Sequence, residues 1–293
     1  MIILPGPASQ NLANGLAAEL NVKLVPVFFK RFPDGESSIR IDGNVKNEEV
    51  VIVQTTSPPQ DERLMQLFLI ASAAKHHAAN SIVAVIPYFA YSRQDRIFLP
   101  GEAFSAKLIV DILEKCGVTQ IISVNAHNPA ALGSLSVPVT DLTAFPLLAE
   151  HFKRKGFEGA VSLSMGKKGL ATSKEAAATL RGEYDYVETQ RDRRTGQVKI
   201  KQKQLRVKNR IAIFFDDIIS SGGTMAKAIA CAKIQGAKRI YAACVHPLLI
   251  SDAKEKITGS GAEEIVGTDT VPSPVSVVSV VPIIAKALSQ MGV

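Results

Sequence analysis

Residues 213–224 constrain the fold of this chain more than any other segment. An apolar, β-prone stretch leads into the acid pair Asp216 and Asp217, a short Ser/Gly/Thr loop follows, and a helical pattern begins at Met225. Strand, loop and helix in this order form the repeating unit of sheets whose parallel strands are covered by helices. We therefore expect an α/β fold in which the loop lies at the N-terminus of a helix.

The loop has the composition of a phosphate-binding site. Unpaired N–H groups and the dipole at a helix N-terminus favour a phosphate group, and glycine lets the backbone approach an anion closely. Hydroxyl side chains add further hydrogen-bond donors. The loop residues with these properties are Ser220, Ser221, Gly222, Gly223 and Thr224. We expect them to bind the phosphate of a small ligand.

The acid pair beside the loop extends the expected ligand beyond its phosphate. Asp216 and Asp217 repel an anion, but their oxygens suit ribose hydroxyls or Mg²⁺. Without these acids, an ordinary strand-to-helix connection with a glycine turn is the simpler interpretation. With them, the segment indicates a ribose 5-phosphate site, and it resembles the motif that binds 5-phosphoribosyl 1-diphosphate (PRPP) in the type I phosphoribosyltransferase fold.

Short apolar runs alternate with helical patterns along the whole chain. In the first half, the strand-like runs are residues 50–54, 81–86 and 120–124, and the helical patterns are residues 61–75 and 103–116. The alternation returns in the second half at residues 159–163, 171–180, 210–215, 226–235 and 239–245. We therefore expect two similar domains, residues 1–144 and 145–293, each with a central, mostly parallel sheet. A closing helix at residues 280–290 could pack back on the first domain.

Composition limits the classes to which the protein can belong. Its 293 residues are enough for two domains, and no apolar run reaches the roughly 18 residues of a membrane span. No signal peptide precedes the first strand-like residues, and the three cysteines lie in apolar surroundings without metal-binding spacing. We expect a cytoplasmic protein with reduced cysteines and no membrane partner.

The positive charge is unevenly distributed. The net charge is +7, and much of the excess lies in residues 191–210. Such a run is most often a solvated hairpin, and the alternation at residues 199–205 favours an exposed strand. The chain has no Trp and no helix-turn-helix or other nucleic-acid motif. We therefore expect a small anionic ligand and no nucleic acid as partner.

Residues 31–36 carry side chains suited to a nucleotide. They form a predicted turn that enters a strand, in which Phe32 could stack on a base. Asp34 and Glu36 could accept hydrogen bonds from an exocyclic amine or a ribose. Taken alone, this Pro-Asp-Gly sequence is more simply a surface turn.

Residues 86–96 follow a buried strand-like run. Arg93 and Arg96 offer guanidinium groups for a polyphosphate, and Gln94 can pair with a purine edge. Tyr-rich loops at strand ends are also ordinary packing, but the run Pro-Tyr-x-x-Tyr-x-Arg-Gln-Asp-Arg is distinctive. His127 follows the next buried run, at the carboxyl edge of the expected sheet. A structural and a functional role are about equally plausible for this histidine.

Taken with the phosphate loop, these segments resemble the ribose-phosphate diphosphokinases, or PRPP synthetases. The resemblance covers nearly the whole chain, and the short length and the sequence Val-Asn-Ala-His-Asn-Pro at residues 124–129 look most like archaeal members. It implies two phosphoribosyltransferase-like domains. It also implies transfer of the diphosphate of Mg·ATP to the 1-hydroxyl of ribose 5-phosphate, giving PRPP and AMP.

The resemblance further implies a role for each candidate residue. ATP would lie at a subunit interface of a homo-oligomer, bound from one subunit by Arg93, Gln94, Arg96 and His127, the last also touching a metal ion. The adenine would be held by three residues of a neighbouring subunit: Phe32, Asp34 and Glu36. Arg191 would be a catalytic cation on a flexible loop. Ribose 5-phosphate would be held by Asp216, Asp217 and residues 220–224.

One departure from the family pattern concerns the flexible loop. The family form is Glu-Lys-x-Arg, and here Thr189 stands at the lysine position while Arg191 is in place. Loss of a donor that stabilises developing charge costs about 10²–10³ in rate. Arg193 or Arg194 could substitute, although Arg and Lys differ in reach.

Two more departures remove acids. The family has an acidic loop after the first strand of the second domain, but residues 164–169 read Ser-Met-Gly-Lys-Lys-Gly. Asn125 stands where the family usually has Asp. The alternatives to an active synthetase are therefore a catalytically weak or silent paralogue that assembles with an active partner, an enzyme for a more anionic ligand, and a PRPP-sensing regulator.

Overall fold

The chain divides into two α/β units in the computed structural model, which describes residues 1–97, 99–128, 136–191, 198–200 and 203–291. The first unit comprises Met1–Thr143, Thr270–Pro272 and Val280–Val293. The second unit comprises Ala144–Asp269 and Ser273–Ser279. Each unit has its own parallel sheet and helices, which confirms the predicted α/β class.

Strands and helices alternate through most of the chain. Those before residue 143 are β1 (Ile2–Pro5), α1 (Gln10–Leu20), β2 (Lys23–Leu24), β3 (Val27–Arg31), β4 (Ser37–Ile41), β5 (Glu49–Val53), α2 (Gln60–His76), β6 (Ser81–Ile86), α3 (Ser105–Lys115), β7 (Gln120–Val124) and β8 (Val139–Leu142). Those of the second unit are α4 (Phe145–Arg154), β9 (Val161–Met165), a 3₁₀ turn (Lys167–Gly169), α5 (Leu170–Leu180), β10 (Tyr184–Val187), β11 (Thr189–Arg191), β12 (Val198–Ile200), β13 (Ile211–Ile219), α6 (Gly223–Ile234), β14 (Arg239–Pro247), α7 (Ala253–Gly259), β15 (Glu264–Thr268) and β16 (Ser276–Val278). The last helix, α8 (Val281–Gln290), belongs to the first unit.

The two sheets have the same topology. The first runs β2-β1-β5-β6-β7-β8 and the second runs β10-β9-β13-β14-β15-β16, with parallel pairing throughout. Each unit also contains an antiparallel hairpin. Along the chain, β3–β4 lies between β2 and β5 in the first unit, and β11–β12 lies between β10 and β13 in the second. Shared strand order and a shared hairpin position support the predicted similarity of the two halves.

The central strands are buried on both faces. Every residue of β5, β6 and β7 after the first is buried, as expected when helices cover both sides of a parallel sheet. Helix α8 packs on α1, where a Cβ placed on Gly15 would lie 3.0 Å from Cγ2 of Val281. Within the part of the chain that the structure describes, no helix is long and apolar enough to cross a membrane.

Strand β13 extends further than the sequence indicates. The apolar run predicts a strand that ends before Asp216, but β13 continues to Ile219. The reason is pairing with β14, because Ile218 aligns with His246 and Ile219 aligns with Pro247. The two acids therefore lie near the carboxyl end of the strand, where the sequence places them, and β13 runs past them to Ile219.

Candidate functional site

The phosphate loop, residues 220–224, lies between β13 and α6 in the second unit. Gly222 at the helix N-cap has a left-handed backbone with φ of 71°, and no side chain caps the helix. A Cβ on Gly222 would lie 2.9 Å from the carbonyl oxygen of Ala253. Both this close approach and the left-handed backbone require glycine at this position. A Cβ on Gly223 would meet nothing within 4 Å. The helix N-terminus is thus uncapped and has open space beside Gly223, as an anion site requires.

Hydroxyl groups surround the same helix start. Ser221 is exposed, and Ser220 and Thr224 are half-buried. The loop backbone is held by the chain after β14, since Ile250 donates its N–H to the carbonyl of Ser220 at 3.1 Å. The structure therefore brings the predicted phosphate-binding residues together on one rigid turn.

The acid pair lies next to this turn in the last part of β13. Both carboxylates are half-buried, and they lie in the part of β13 that runs beyond its pairing with β9, toward the phosphate loop. Oδ1 of Asp217 accepts the N–H of Ile218 at 2.9 Å. Asp216 aligns with Cys244 of β14, and burial, with a smaller contribution from Asp216, raises the pKa of this thiol. A buried thiol of this kind stays protonated and unreactive.

The turn with two lysines follows β9, the strand beside β13. Ser164 aligns with Phe215, so both strands end at the same edge of the sheet. A Cβ on Gly166 would lie 3.0 Å from Oγ1 of Thr189, which places this turn against the start of β11. Lys167 and Lys168 are exposed, and their side chains have no hydrogen bond or ion pair among the described residues. Positive charge is thus available beside the phosphate loop.

The antiparallel pair β11–β12 is the predicted hairpin, but the exposed strand predicted over residues 199–205 is wrong at its end, because residues 203–205 are not in a strand and Leu205 is buried. Thr189 aligns with Ile200, and Arg191 aligns with Val198. The backbone of Arg191 ends β11, whereas residues 192–197 with Arg193 and Arg194 lie outside the described part of the chain. Where the chain returns from the hairpin, Lys203 forms an ion pair with Asp185 of β10.

In the first unit, the turn between β3 and β4 presents the predicted adenine-binding residues. Phe32 is 40% exposed, and Asp34 and Glu36 are exposed. The turn is held by two internal bonds, from the N–H of Phe32 to the carbonyl of Glu36 at 2.8 Å and from the N–H of Gly35 to the carbonyl of Phe32 at 2.9 Å. An exposed aromatic ring beside two exposed carboxylates can receive a base from a second molecule.

The loop after β6 presents the predicted polyphosphate residues. Arg93, Gln94 and Arg96 are exposed, while Asp95 between them is only 7% exposed. Thr56 stabilises the start of the loop, because its Oγ1 accepts a hydrogen bond of 2.7 Å from the N–H of Ala90. The two arginines therefore project from a loop whose base is fixed.

His127 lies one strand further along the same edge. It is exposed and follows β7. Asn125, two residues before it, has a left-handed backbone with φ of 43° and donates its N–H to the carbonyl of Leu142 at 2.7 Å. The loops after β6 and β7 leave adjacent strands, so the structure brings the predicted arginines and His127 to one end of the first sheet.

Sequence reasoning missed the first turn of α2. Glu62 forms an ion pair with Arg31 at the end of β3, and Asp61 accepts a hydrogen bond from the Tyr91 hydroxyl in the loop after β6. The short bond to Asp61 is the largest cause of the raised pKa of Tyr91. The only local sign of these contacts in the sequence is the pair of acids at the start of the helix. Acids are common at this position in any helix because they complement the helix dipole, so the pair did not indicate a specific contact.

Comparison with known proteins gives the family. A family model of the N-terminal domain of ribose phosphate pyrophosphokinase matches residues 1–117, and one of the phosphoribosyl synthetase-associated domain matches residues 197–291. A ribose-phosphate pyrophosphokinase of Sulfurisphaera tokodaii is 39% identical over 292 residues, covering 98% of this chain and 100% of that one. One of Methanothermobacter thermautotrophicus is 40% identical over 289 residues, covering 99% and 100%.

A solved structure agrees with these relatives. The phosphoribosylpyrophosphate synthetase of Mycobacterium smegmatis superposes with a TM-score of 0.88 and 26% identity, covering 99% of this chain and 98% of that chain. The resemblance to archaeal PRPP synthetases is thus confirmed, and nothing in the comparisons supports a non-catalytic paralogue. By sequence and by fold, the chain belongs to the ribose-phosphate pyrophosphokinase family of transferases.

Proposed function

We propose that this protein transfers the diphosphate of ATP to the 1-hydroxyl of ribose 5-phosphate in the cytoplasm, giving PRPP and AMP. One observation carries the proposal: an uncapped helix N-terminus with open space at Gly223 lies directly after an acid pair. This arrangement suits a ligand with a phosphate at one end and a diol at the other. The three cysteines are unpaired, which fits a reducing compartment.

The reaction is a displacement at phosphorus. The 1-hydroxyl oxygen attacks the β-phosphorus of ATP, the bond from this phosphorus to the α,β-bridging oxygen breaks, and AMP leaves with that oxygen. The hydroxyl proton passes to solvent. Such a transfer depends on positioning and on neutralising charge rather than on a covalent intermediate. The phosphate loop would fix the 5-phosphate, and Asp216 and Asp217 would fix the ribose.

Side chains of the first unit would bind the polyphosphate. Arg93, Arg96 and His127 lie at one end of the first sheet. Guanidinium groups match phosphate oxygens in a two-pronged fashion. We propose that these three side chains bind the ATP phosphates, with Gln94 on the purine. Arg191, which ends β11 in the second unit, is proposed as the catalytic cation.

The acid pair also suits Mg²⁺, which prefers carboxylate oxygens and substrate phosphates to an all-protein cage. Among the described residues, no group of three or more acids, histidines or cysteines could hold a metal ion by itself. We propose His127 as a metal ligand beside the ATP phosphates, and Asp216 and Asp217 as groups suited to Mg²⁺ beside the ribose. When bound, Mg²⁺ would supply charge neutralisation on the phosphates.

We also propose a homo-oligomer that shares its ATP site. Phe32, Asp34 and Glu36 are exposed at the turn of a hairpin that packs on α2 and is not part of the parallel sheet. An exposed platform of this kind can meet a base that is bound to a neighbouring subunit. Adenine would then be held by residues of two subunits.

The test is formation of AMP and PRPP from Mg·ATP and ribose 5-phosphate by the purified chain, with Thr189→Lys measured beside it. Appreciable turnover by the unmodified chain is expected, and restoring a cation at position 189 should raise it by up to about 10²–10³. Thr258→Lys, an exposed position on α7, adds the same charge elsewhere and controls for net charge. Absence of turnover by both the unmodified chain and Thr189→Lys, while ATP still binds, would overturn the proposal.

A further inference from the structure

The loop that carries His127 is held from both sides by carboxylates. On one side, the backbone N–H of Ala126 donates a 2.8 Å hydrogen bond to Oδ1 of Asp141 on β8. On the other side, Nδ2 of Asn128 donates a hydrogen bond to Oδ2 of Asp95 in the loop after β6. The two residues that flank His127 are therefore each tied to a different segment of the first unit.

The two carboxylates are fixed in place. Asp95 is only 7% exposed, and Asp141 is half-buried in the short edge strand β8, where Ser123 of β7 aligns with it. Asn125 before the loop has a left-handed backbone, a conformation that asparagine adopts more readily than most residues other than glycine. The tertiary bonds on either side of the histidine both end on an acid.

We propose that Asp141 and Asp95 are positioning residues that hold the backbone on either side of His127, so that its imidazole meets the ATP phosphates in one orientation. This inference rests on the proposed function, in which His127 contacts ATP. Asp95 has a second consequence, since it lies between Gln94 and Arg96 in sequence. It connects the loop with the proposed polyphosphate arginines to the loop with the histidine.

The hydrogen bond from Ala126 requires an acceptor at position 141 but not a negative charge. Burial raises the pKa of the Asp141 carboxyl to about 6, although the bond from Ala126 opposes this rise. A carboxylate that is partly removed from water destabilises the native state unless its partners compensate.

The experiment is a double-mutant cycle between Asp141 and His127 in the full-length chain. Asp141→Ala removes the acceptor, Asp141→Asn keeps an oxygen in its place, and His127→Ala removes the imidazole. The double variant Asp141→Ala/His127→Ala completes the cycle. Asp42→Asn, an exposed acid on the same unit, is the matched control and should leave the kinetics unchanged.

Two measurements are made on every variant: kcat and KM with Mg·ATP and ribose 5-phosphate, and the affinity for Mg·ATP by calorimetry. Asp141→Ala should lower kcat by about tenfold to a hundredfold, the effect of misplacing a reacting group by about 1 Å. Asp141→Asn should retain most of the activity. In the His127→Ala background, Asp141→Ala should cost nothing further in rate or in ATP affinity.

A merely structural role predicts a different pattern. Asp141→Ala would then lower activity by the same factor whether or not His127 is present, and this outcome would overturn the inference. An Asp141→Asn variant as impaired as Asp141→Ala would also overturn it. If neither the unmodified chain nor Thr189→Lys makes AMP although both bind ATP, the proposed function fails while the calorimetric cycle still decides the positioning role. Failure to bind ATP would refute both.

Discussion

Arg31 on the β3–β4 hairpin donates a hydrogen bond of 2.8 Å from Nη1 to Oε2 of Glu62 in the first turn of α2. The neighbouring residue of that turn, Asp61, accepts a hydrogen bond from the Tyr91 hydroxyl. One turn of helix therefore anchors two segments to which we assign ATP binding, the turn at residues 32–36 and the loop at residues 91–96. In the proposed oligomer these segments serve two different ATP sites, so α2 connects neighbouring sites.

Glu62→Gln should weaken ATP binding with little loss of stability. The ion pair with Arg31 is partly solvated and is worth up to about 1 kcal/mol. We expect KM for ATP to rise about two- to fivefold, while the midpoint of thermal unfolding falls by no more than about 4 °C. Steady-state kinetics and calorimetry measure both quantities. The control is Glu19→Gln, which changes an exposed acid on α1. An equal rise in KM for ATP in this control would contradict the role of Glu62 in ATP binding.

The two glycines of the phosphate loop should respond oppositely to alanine. Gly222→Ala places a Cβ 2.9 Å from the Ala253 oxygen in a left-handed backbone, so it should destabilise the fold by about 1–2 kcal/mol or more. Gly223→Ala meets no atom within 4 Å and lies at the first residue of α6, so stability should be retained. Its methyl group would instead occupy the proposed phosphate position and raise KM for ribose 5-phosphate. Thermal unfolding and kinetics of both variants test this contrast, and unchanged KM in Gly223→Ala would place the phosphate elsewhere.

Subunit mixing tests the shared ATP site. A hairpin variant, Phe32→Ala/Asp34→Ala, and a loop variant, Arg93→Ala/Arg96→Ala, should each lose most activity alone. When the two are unfolded together and refolded as mixed oligomers, some sites would receive an intact hairpin and an intact loop from different chains. Activity should therefore return in part, measured as AMP formation. Mixed oligomers with no recovered activity would show that hairpin and loop act within one chain.

The pH dependence of stability follows from the raised pKa of Asp141. The carboxyl has a pKa of about 6 in the folded protein and an ordinary value near 3.8 when unfolded. Its contribution to stability is therefore present below about pH 4 and is lost as the pH rises through about 6. Asp141→Asn carries no charge, so it should be more stable than the unmodified chain near pH 7, by at most about 3 kcal/mol. The advantage should disappear near pH 4. Denaturant unfolding at both pH values measures it, and a variant less stable at both would contradict the burial argument.

Much of the fold could be predicted from local sequence patterns. The runs at residues 81–86 and 120–124 coincide with β6 and β7, and the helical patterns at residues 61–75 and 171–180 differ from α2 and α5 by a residue at their ends. Period and apolar content are properties of adjacent residues, so they can be recognised without the fold. The family resemblance was accessible for the same reason, because its motifs are short and contiguous.

The end of β13 could not be predicted from local patterns. Asp216 and Asp217 interrupt the apolar run, and carboxylates are disfavoured in buried strands. Pairing with β14 overrides that preference and carries the strand on to Ile219. The loop that follows is correspondingly shorter, and α6 begins at Gly223 because Gly222 adopts the left-handed conformation at its start.

The sequence by itself determined the α/β class, the order of strand, loop and helix around the phosphate loop, and membership of a family, since each is written in neighbouring residues. Only the tertiary structure decided which distant residues hold the candidate site. Arg31 and Glu62 are 31 residues apart, and Ala126 and Asp141 are 15 apart. Such contacts depend on how strands are ordered and how loops leave the sheet, and the periodicity of a single element carries no record of that order.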